Sequence, residues 1–312
     1  MTTQVILVDA QGKRYDIPHS KVRWETYREG RASKLTVEAI GGDIPIYNGN
    51  RVVFLMDGTA LFDGFVFAVS AQKQTLSFCG YDRLRYLLYK DSYIFYGKRL
   101  SDIAAQIVKD KGFRQYRIER TGKYIPQILA DNQPLLSIIA AAIRQERRLG
   151  GGSYVFYDDA GTLTLRNREA MTVNRRLHLE ENMVFFARNR EIDTGTYNRI
   201  RLMQTDRAGQ QAVYIKEDAD SIGKYGVLQY AAAVDRDLLP SQVRARAEEL
   251  LSQHREEKSS LLVTAVGHYQ FRAGFVVQAK LRKQEGAMHY QIDEAVHTVE
   301  KGQHTMRLKL IR

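Results

Sequence analysis

Seven short apolar runs, each bounded by a turn rich in Gly, Asp or Asn, fill roughly the first 95 residues of the chain. QVILV and KRYDI flank DAQG, KVRWETY and SKLTVEAI flank REGRA, RVVFLM and ALFDGFVFAV flank DGT, and QTLSFCG follows. Runs this short, rich in Val, Leu, Phe and Thr, cannot bury themselves; they must pair with their neighbours in hairpins. That many paired strands in one unit predict a barrel or a sandwich. Trp24 falls within one run and is expected to pack in its core. Cys79, the only cysteine, falls in QTLSFCG and is expected as a small buried core residue. One thiol excludes an internal disulfide and a multi-cysteine zinc site.

The rhythm changes at YDRLRYLLYKDSYIFYGKRL, where Leu84, Leu87 and Leu88 take helical spacing before a strand-like YIFY. SDIAAQIVKDKGF predicts a helix capped by Ser101, with Ile103, Ile107 and Val108 as its stripe and Gly112 as its stop. A second helix is expected from DNQPLLSIIAAAIRQERRLGGG, with Pro134 in its first turn and Leu135, Ile138, Ile139, Ala142 and Ile143 on one face. Gly150, Gly151 and Gly152 follow this helix, whereas a phosphate loop precedes one, so they read as a helix stop and link. SYVFYDDAGTLTLRN adds two strands about a DDAG turn. Strands TYNRIRLMQ and QAVYIKE then flank TDRAG, and SLLVTAVG and FVVQAKL come after a helix that opens at Pro240. Val243, Ala247, Leu250, Leu251 and His254 share or border the apolar face of that helix. At 312 residues the chain is long enough for two or three domains. The pattern predicts a mainly β, α+β protein: a β unit at 1–95, barrel or sandwich, a small α+β domain at 96–180, and a second β unit at 181–312 with a helical insertion at about 237–256.

No stretch approaches the ~20 apolar residues of a membrane-spanning helix. MTTQVILVDAQGKRYDIP has no basic segment followed by an apolar run, so no secretory leader is expected. The formal charge of +11 raises the question of nucleic acid. The basic residues are interspersed with acids, as in RQERR and RARAEELLSQHREEK, and read as solvated faces or a surface for an acidic partner.

Enzyme signatures are missing from the sequence: G-x-S-x-G, H-E-x-x-H, a Walker loop and G-x-G-x-x-G do not occur. Glu180 with Glu181, and Glu217 with Asp218 and Asp220, are the acidic clusters from which a carboxylate pair could be drawn, and each reads better as a turn. The stretch HYQIDEAVHTVEKGQHTMRLKL carries His289, His297 and His304 and poses a metal-site question. Its alternation is imperfect, because Glu294 and Thr298 share parity with Tyr290, Ile292 and Val296. A two-residue loop at Lys301–Gly302 would pair Val299 with His304 and His297 with Met306. A three-residue loop would pair Thr298 with His304, Val296 with Met306 and Ile292 with Leu310. The second matches the larger apolar residues and is the expected register. It separates His304 from His297, while His289 lies roughly 26 Å along the strand from His297 at ~3.3 Å per residue. No metal or cofactor is therefore expected.

Four stretches resemble the baseplate hub proteins of phage tails, including those of defective phage-like particles and R-type bacteriocins. They are GYDRLRYLLYKDSYIFYGKRLSDIAAQIVKDKGF; the PLLSIIAAAIRQE and YVFYDDAGTLTLR block; DADSIGKYGVLQYAAAVD with the SQVRARAEELL helix; and FRAGFVVQAKL with YQIDEAVHTVEKGQHTMRLKL. The resemblance implies a non-enzymatic virion structural protein similar to the T-even hub. In that hub, two tube-like barrels from each of three subunits form a pseudo-sixfold ring between a hexameric tail tube and a trimeric central spike. It further implies a homotrimer, made in the bacterial cytoplasm and built into a tail baseplate. Its partners would be the tail tube protein, the spike, and tape-measure and LysM-type baseplate proteins. The middle domain and last helix would lie at the periphery. Ring building needs extended hairpins at subunit boundaries, which nominates Phe54, Phe62, Phe65 and Phe67 in the first barrel and Arg201, Met203 and Tyr214 in the last. In SIGKYG, Gly223 and Gly226 allow a tight turn presenting Lys224 and Tyr225, which would join domains or dock a partner. The competing functions are a tail-associated peptidoglycan hydrolase and a basic nucleic-acid-binding protein.

Overall fold

The computed structural model describes residues 1–41, 45–72, 75–205, 209–281 and 286–312. It divides into two units, residues 1–187 with 261–312, and residues 188–260.

The first unit opens with β1 (Thr3–Val8), β2 (Arg14–Asp16), β3 (His19–Tyr27), β4 (Lys34–Ala39), β5 (Arg51–Met56), β6 (Thr59–Gln72) and β7 (Thr75–Tyr81). They pair antiparallel in the order β3–β4–β7–β6–β5–β1–β2. β2 runs into β3 through the buried Ile17, whose N–H donates to the Val5 carbonyl at 2.8 Å. The last strand of the row is thus continuous with the first, which closes the barrel and removes its free edges. Strand alternation turns Val5, Leu7, Val22, Trp24, Leu35, Val37, Phe54, Phe62 and Phe78 inward. Asp57 and Gly58, both at positive φ (47° and 78°), make the tight turn between β5 and β6. Cys79 is half-buried, contrary to expectation, because the inward positions of β7 fall to Phe78 and Gly80 on either side of it.

A 3-10 turn at Arg83–Leu88, capped by the Asp82 carboxylate, leads to β8 (Lys90–Arg99). α1 (Leu100–Asp110), β9 (Tyr116–Ile118), β10 (Tyr124–Pro134), α2 (Leu135–Arg148), β11 (Tyr154–Asp159) and β12 (Thr162–Asn167) complete this part. β8 pairs with β10, while β12 lies between β11 and β9. Ser101, expected as a cap, is buried inside the first turn of α1; the cap position is Arg99, whose backbone N–H donates to Asp102 at 3.2 Å. Gly112, at φ 75°, follows that helix. α2 begins one residue after Pro134, because β10 extends up to the proline. Leu84, Leu87, Phe95, Ile103, Ile107, Ile138, Ile139 and Leu163 share one core, so the packing of this part begins before the 95/96 limit drawn from the sequence.

β13 (Thr172–His178) and β14 (Met183–Glu191) follow. Residues 188–260 hold β15 (Arg199–Thr205), β16 (Gln211–Glu217), α3 (Ala219–Tyr225), β17 (Gln229–Val234) and α4 (Pro240–His254). β15 is the centre of a sheet ordered β16–β15–β17. One face of that sheet receives Val243, Ala247 and Leu251 of α4 against Ile200 and Leu202. What the sequence suggested as a helical insertion at about 237–256 therefore belongs to a unit with its own sheet and core. The expected TDRAG turn spans 205–209, and its central residues 206–208 lie outside the described residues. SIGKYG is not a tight turn: it forms most of α3, started by the Asp218 carboxylate on the Ser221 N–H (3.0 Å) and ended by Gly226 at φ 75°.

The first unit resumes with β18 (Lys258–Val266), β19 (Val276–Lys280), β20 (Met288–Glu300) and β21 (Gln303–Ile311). β20 pairs with β21, with β19 through its first residues, and with β3 through Glu294–Glu300. The strands of both chain ends thereby join in one sheet across β20 and β3. The hairpin register is the one the sequence disfavoured: Val299 faces His304 and His297 faces Met306. Lys301 (φ 50°) and Gly302 (φ 74°) form a two-residue turn. A bulge between Ile292 and Glu294 shifts the register, so Ile292 still meets Leu310. Tyr290 and Ile292 point inward before the bulge, and Ala295, His297 and Val299 after it. The broken alternation of the sequence is this bulge.

Candidate interaction surfaces

The nine residues nominated from the sequence separate by burial. Phe54 and Phe62 are 1% and 2% exposed and form part of the first barrel's core. Their inward parity takes their side chains out of reach of a partner. Phe65 and Phe67 face the other way on β6 and are half-buried. Phe65 meets Tyr86 edge-on at 5.8 Å, Phe67 meets Tyr81 at 5.5 Å, and Arg83 and Arg85 sit over the two phenylalanine rings at 5.8 and 5.5 Å. Aromatic rings interleaved with arginines are the composition of interface centres. In the other unit, Tyr214 packs on the core beside α4. Arg201 and Met203 lie on the opposite sheet face, directly paired with Ile215 and Val213, which are 56% and 46% exposed. Lys224 is exposed over the Tyr225 ring at 4.6 Å, and the Tyr225 hydroxyl donates to Glu257 at 3.0 Å.

Two further apolar surfaces escaped the sequence reading. On the β8–β10 ribbon, Ile94 faces Leu129 across the ladder, 65% and 60% exposed, with Tyr96 and Tyr124 nearby in the strands. Val184 and Phe185 on β14 are 73% and 58% exposed, and β14 ends the row of strands. The signal for the first was present in YIFY, where apolar residues occupy both parities of a strand that buries only Phe95.

A buried polar cluster ties the three stretches of the first unit together. Asp82 accepts the backbone N–H groups of Ser33 and Leu84, both at 3.1 Å. Asp158 accepts those of Arg83 (3.0 Å) and Gly161 (2.5 Å). Burial and their mutual repulsion push the Asp82 carboxyl well above the ordinary carboxylate range, and burial pushes Asp158 in the same direction. Arg83 bridges Asp63 and Asp158 at 3.6 and 3.8 Å. Arg272 reaches the Asp158 carbonyl and, at 3.3 Å, the Asp159 carboxylate. The sequence did not mark this cluster, since its members lie far apart along the chain.

The two-residue turn brings together two of the histidines that the expected register kept apart. The His297 ring is 1% exposed and stacks on Trp24 with centroids 5.1 Å apart. His297 Nε2–H donates to the Phe271 carbonyl at 2.7 Å, which leaves Nδ1 to accept from His304 Nε2–H at 3.0 Å. Desolvation holds His297 down at about 3 and His304 at about 4, so both rings are neutral at physiological pH. His268 adds its repulsion to both. Gly267 gives the His304 ring its space, because a Cβ there would lie 2.1 Å from the ring. His289 stands apart, accepting from Gln278 at 2.9 Å. The acidic clusters are engaged locally: Glu181 lies 3.8 Å from His178, Glu217 pairs with Arg199 at 2.5 Å, and Asp218 caps α3. His254 on α4 bonds the Gly195 carbonyl at 3.0 Å.

Comparison with known proteins gives a consistent picture. The model of a family described as YQBQ-like matches residues 22–311. The chain is 28% identical to the phage-like element PBSX protein XkdQ of Bacillus subtilis (strain 168), over 97% of this chain and 91% of that protein. Among solved structures, a tail protein from Neisseria meningitidis MC58 shares the fold with a TM-score of 0.72 at 13% identity, covering 100% of this chain and 97% of that one. The Escherichia coli c3393 protein, a type VI secretion component described as structurally similar to the T4 tail proteins gp27 and gp5, matches with a TM-score of 0.59 at 8% identity, over 100% of this chain and 76% of that one.

Proposed function

The chain belongs to the YQBQ-like family, and from that membership we propose that it is the structural baseplate hub of a phage or phage-like tail. Three copies close into a pseudo-sixfold ring, each contributing two β domains, and the ring joins a hexameric tail tube to a trimeric central spike. The observation that carries this reading is the pairing of β3 with β20, which makes one sheet from strands at the two ends of the chain. A subunit so built offers two strand-rich domains fixed side by side, which is what three copies need to present six positions. The functional division is 1–95 and 181–312 for the ring, with 96–180 between them.

The full-length likeness to tail proteins, and a relative named for a phage-like element, support this placement. The description of the c3393 protein, which links it to gp27 and gp5, supports the hub position in particular. Phe65 and Phe67 with Arg83 and Arg85 are the proposed subunit or partner contact of the first domain; Arg201, Met203, Lys224 and Tyr225 form a second surface in the inserted unit. The role is structural rather than catalytic. The subunit is made in the bacterial cytoplasm and ends in the particle, where tape-measure and LysM-type baseplate proteins are further neighbours.

The test is light scattering and negative-stain electron microscopy of the purified chain, alone and mixed with its cognate tube and spike proteins. Rings of three subunits bound to either partner are expected in the mixtures. A chain that stays monomeric with both partners present, or that clears cell walls, refutes the hub assignment.

A further inference from the structure

β16 is the outermost strand of the three-stranded sheet in residues 188–260, and among the described residues it pairs with β15 alone. Its other edge therefore presents backbone N–H and C=O groups that no neighbouring strand takes up. Edge strands are ordinarily protected by a bulge, a proline or a charge at mid-strand. β16, QAVYIKE, has none of these: its ladder with β15 runs unbroken from Gln211 to Glu217, and its charges are confined to Lys216 and Glu217 at one end. At its centre Val213 and Ile215 are 46% and 56% exposed. A groove of about 490 Å³ lies between β16 and α4. Among the described residues its walls come from consecutive positions 212–216 of β16 and from Arg244, Ala247 and Glu248 of α4, with none from β15, so it follows the free edge. An unpaired strand edge beside a helix is a site for an extended peptide: ladder hydrogen bonds supply affinity, and space for alternate side chains supplies specificity.

The charges of the groove select the segment. Lys216 and Glu248 neutralise each other at 3.1 Å, whereas Arg244 is exposed and meets no carboxylate among the described residues. A segment laid along β16 turns alternate side chains to the α4 side, where Arg244 attracts a carboxylate. The side chains between them lie beside Val213 and Ile215 and gain from being apolar.

We propose that the free edge of β16 and the groove beside it bind an extended segment of a partner polypeptide in which acidic and apolar residues alternate. The inference concerns residues 188–260 alone and holds whether or not three copies form a ring.

The probe is a short acetylated and amidated peptide of alternating Val and Glu, followed by NMR on the backbone amide signals of the full-length chain. It should shift the β16 signals saturably and slow the exchange of the β16 amides that point away from β15. Its fully N-methylated form, which has no N–H to donate, should bind at least about tenfold more weakly. A peptide of alternating Val and Lys should bind about threefold more weakly than the Val–Glu peptide, and Arg244→Glu should reverse that order. Arg244 is exposed, so its substitution spares the core; Arg244→Gln, which should erase the preference, is used if the first variant does not fold. The proposal is overturned if the Val–Glu peptide leaves β16 unmoved, if the N-methylated form binds equally well, or if a preference for Glu is absent from the original or survives in the variants. Signals of β16 that shift with protein concentration in the absence of peptide overturn it too, since the edge would then belong to a second copy of the chain.

Discussion

Acid should weaken this protein through His297, and the size of the effect follows from its surroundings. The folded-state pKa of His297 is about 3, lowered from 6.5 chiefly by desolvation. Between those values the unfolded chain binds a proton that the folded chain refuses, so stability falls as pH falls. At pH 5 the unfolded imidazole lies about 1.5 pH units below its own pKa while the folded one stays neutral, which at ~1.4 kcal/mol per unit amounts to about 2 kcal/mol. His304, held at about 4 and partly reached by solvent, contributes in the same direction with a smaller weight. Asp82 and Asp158 oppose it: their raised pKa values let the folded state keep protons that the unfolded state has lost, which favours the fold on the acid side. A raw pH profile mixes these contributions, so the assay is a comparison. Urea unfolding at pH 7 and pH 5 is measured for the original chain and for His297→Gln, whose amide can replace both hydrogen bonds without titrating. The original should lose about 2 kcal/mol more than the variant between the two pH values. Equal losses, or an imidazole of His297 seen by NMR to titrate above pH 5, would refute the reasoning.

Gly267→Ala should destabilise the chain by about 1–3 kcal/mol, because its Cβ would meet the His304 ring and something must shift; thermal unfolding measures the loss, and an unchanged transition would show that the ring moves freely. Phe54→Ala should cost about 3–5 kcal/mol in urea unfolding as a core truncation. Phe65→Ser and Phe67→Ser should leave the monomer close to its original stability yet reduce ring formation with tube or spike protein, scored by electron microscopy; rings in normal yield would remove this face from the interface. Arg272→Met should cost about 1–3 kcal/mol, chiefly because the buried Asp158 carbonyl loses a donor; the half-exposed Asp159 carboxylate is screened by water, so adding Asp159→Asn should recover little of that loss, measured as a double-mutant cycle.

The two structural centres of the first unit serve one geometric end. The bulge in β20 lets a single strand contribute Val299 to the core of the first barrel and Ile292 and Ala295 to the core formed by the chain's last strands. Arg272 lies over both Trp24 and Tyr157, at 5.7 and 4.9 Å, so it links the first barrel to β11 of the middle part. Removing either device is therefore expected to loosen the packing between these parts before it melts any one of them.

Local periodicity by itself determined the strand-rich first 95 residues, the two middle helices and α4. Those features depend on which residues share a parity or a helical stripe, and neighbours a few positions apart decide that. The glycine stop at Gly112 was legible for the same reason, whereas Gly226, expected in a tight turn, ends a helix that the local pattern did not announce. The hairpin turn at Lys301–Gly302 was not decided locally. Pairing the larger apolar residues of two strands favoured a three-residue loop, but β20 also has to pair with β3 on its other side. The bulge at Asp293 resolves that conflict by placing His297 inside, against Trp24. The burial of Phe54 against the half-exposure of Phe65 and the Asp82–Asp158–Arg272 cluster likewise join residues from distant parts of the chain. Parity tells which residues share a face; only closure of the barrel tells which face is inside.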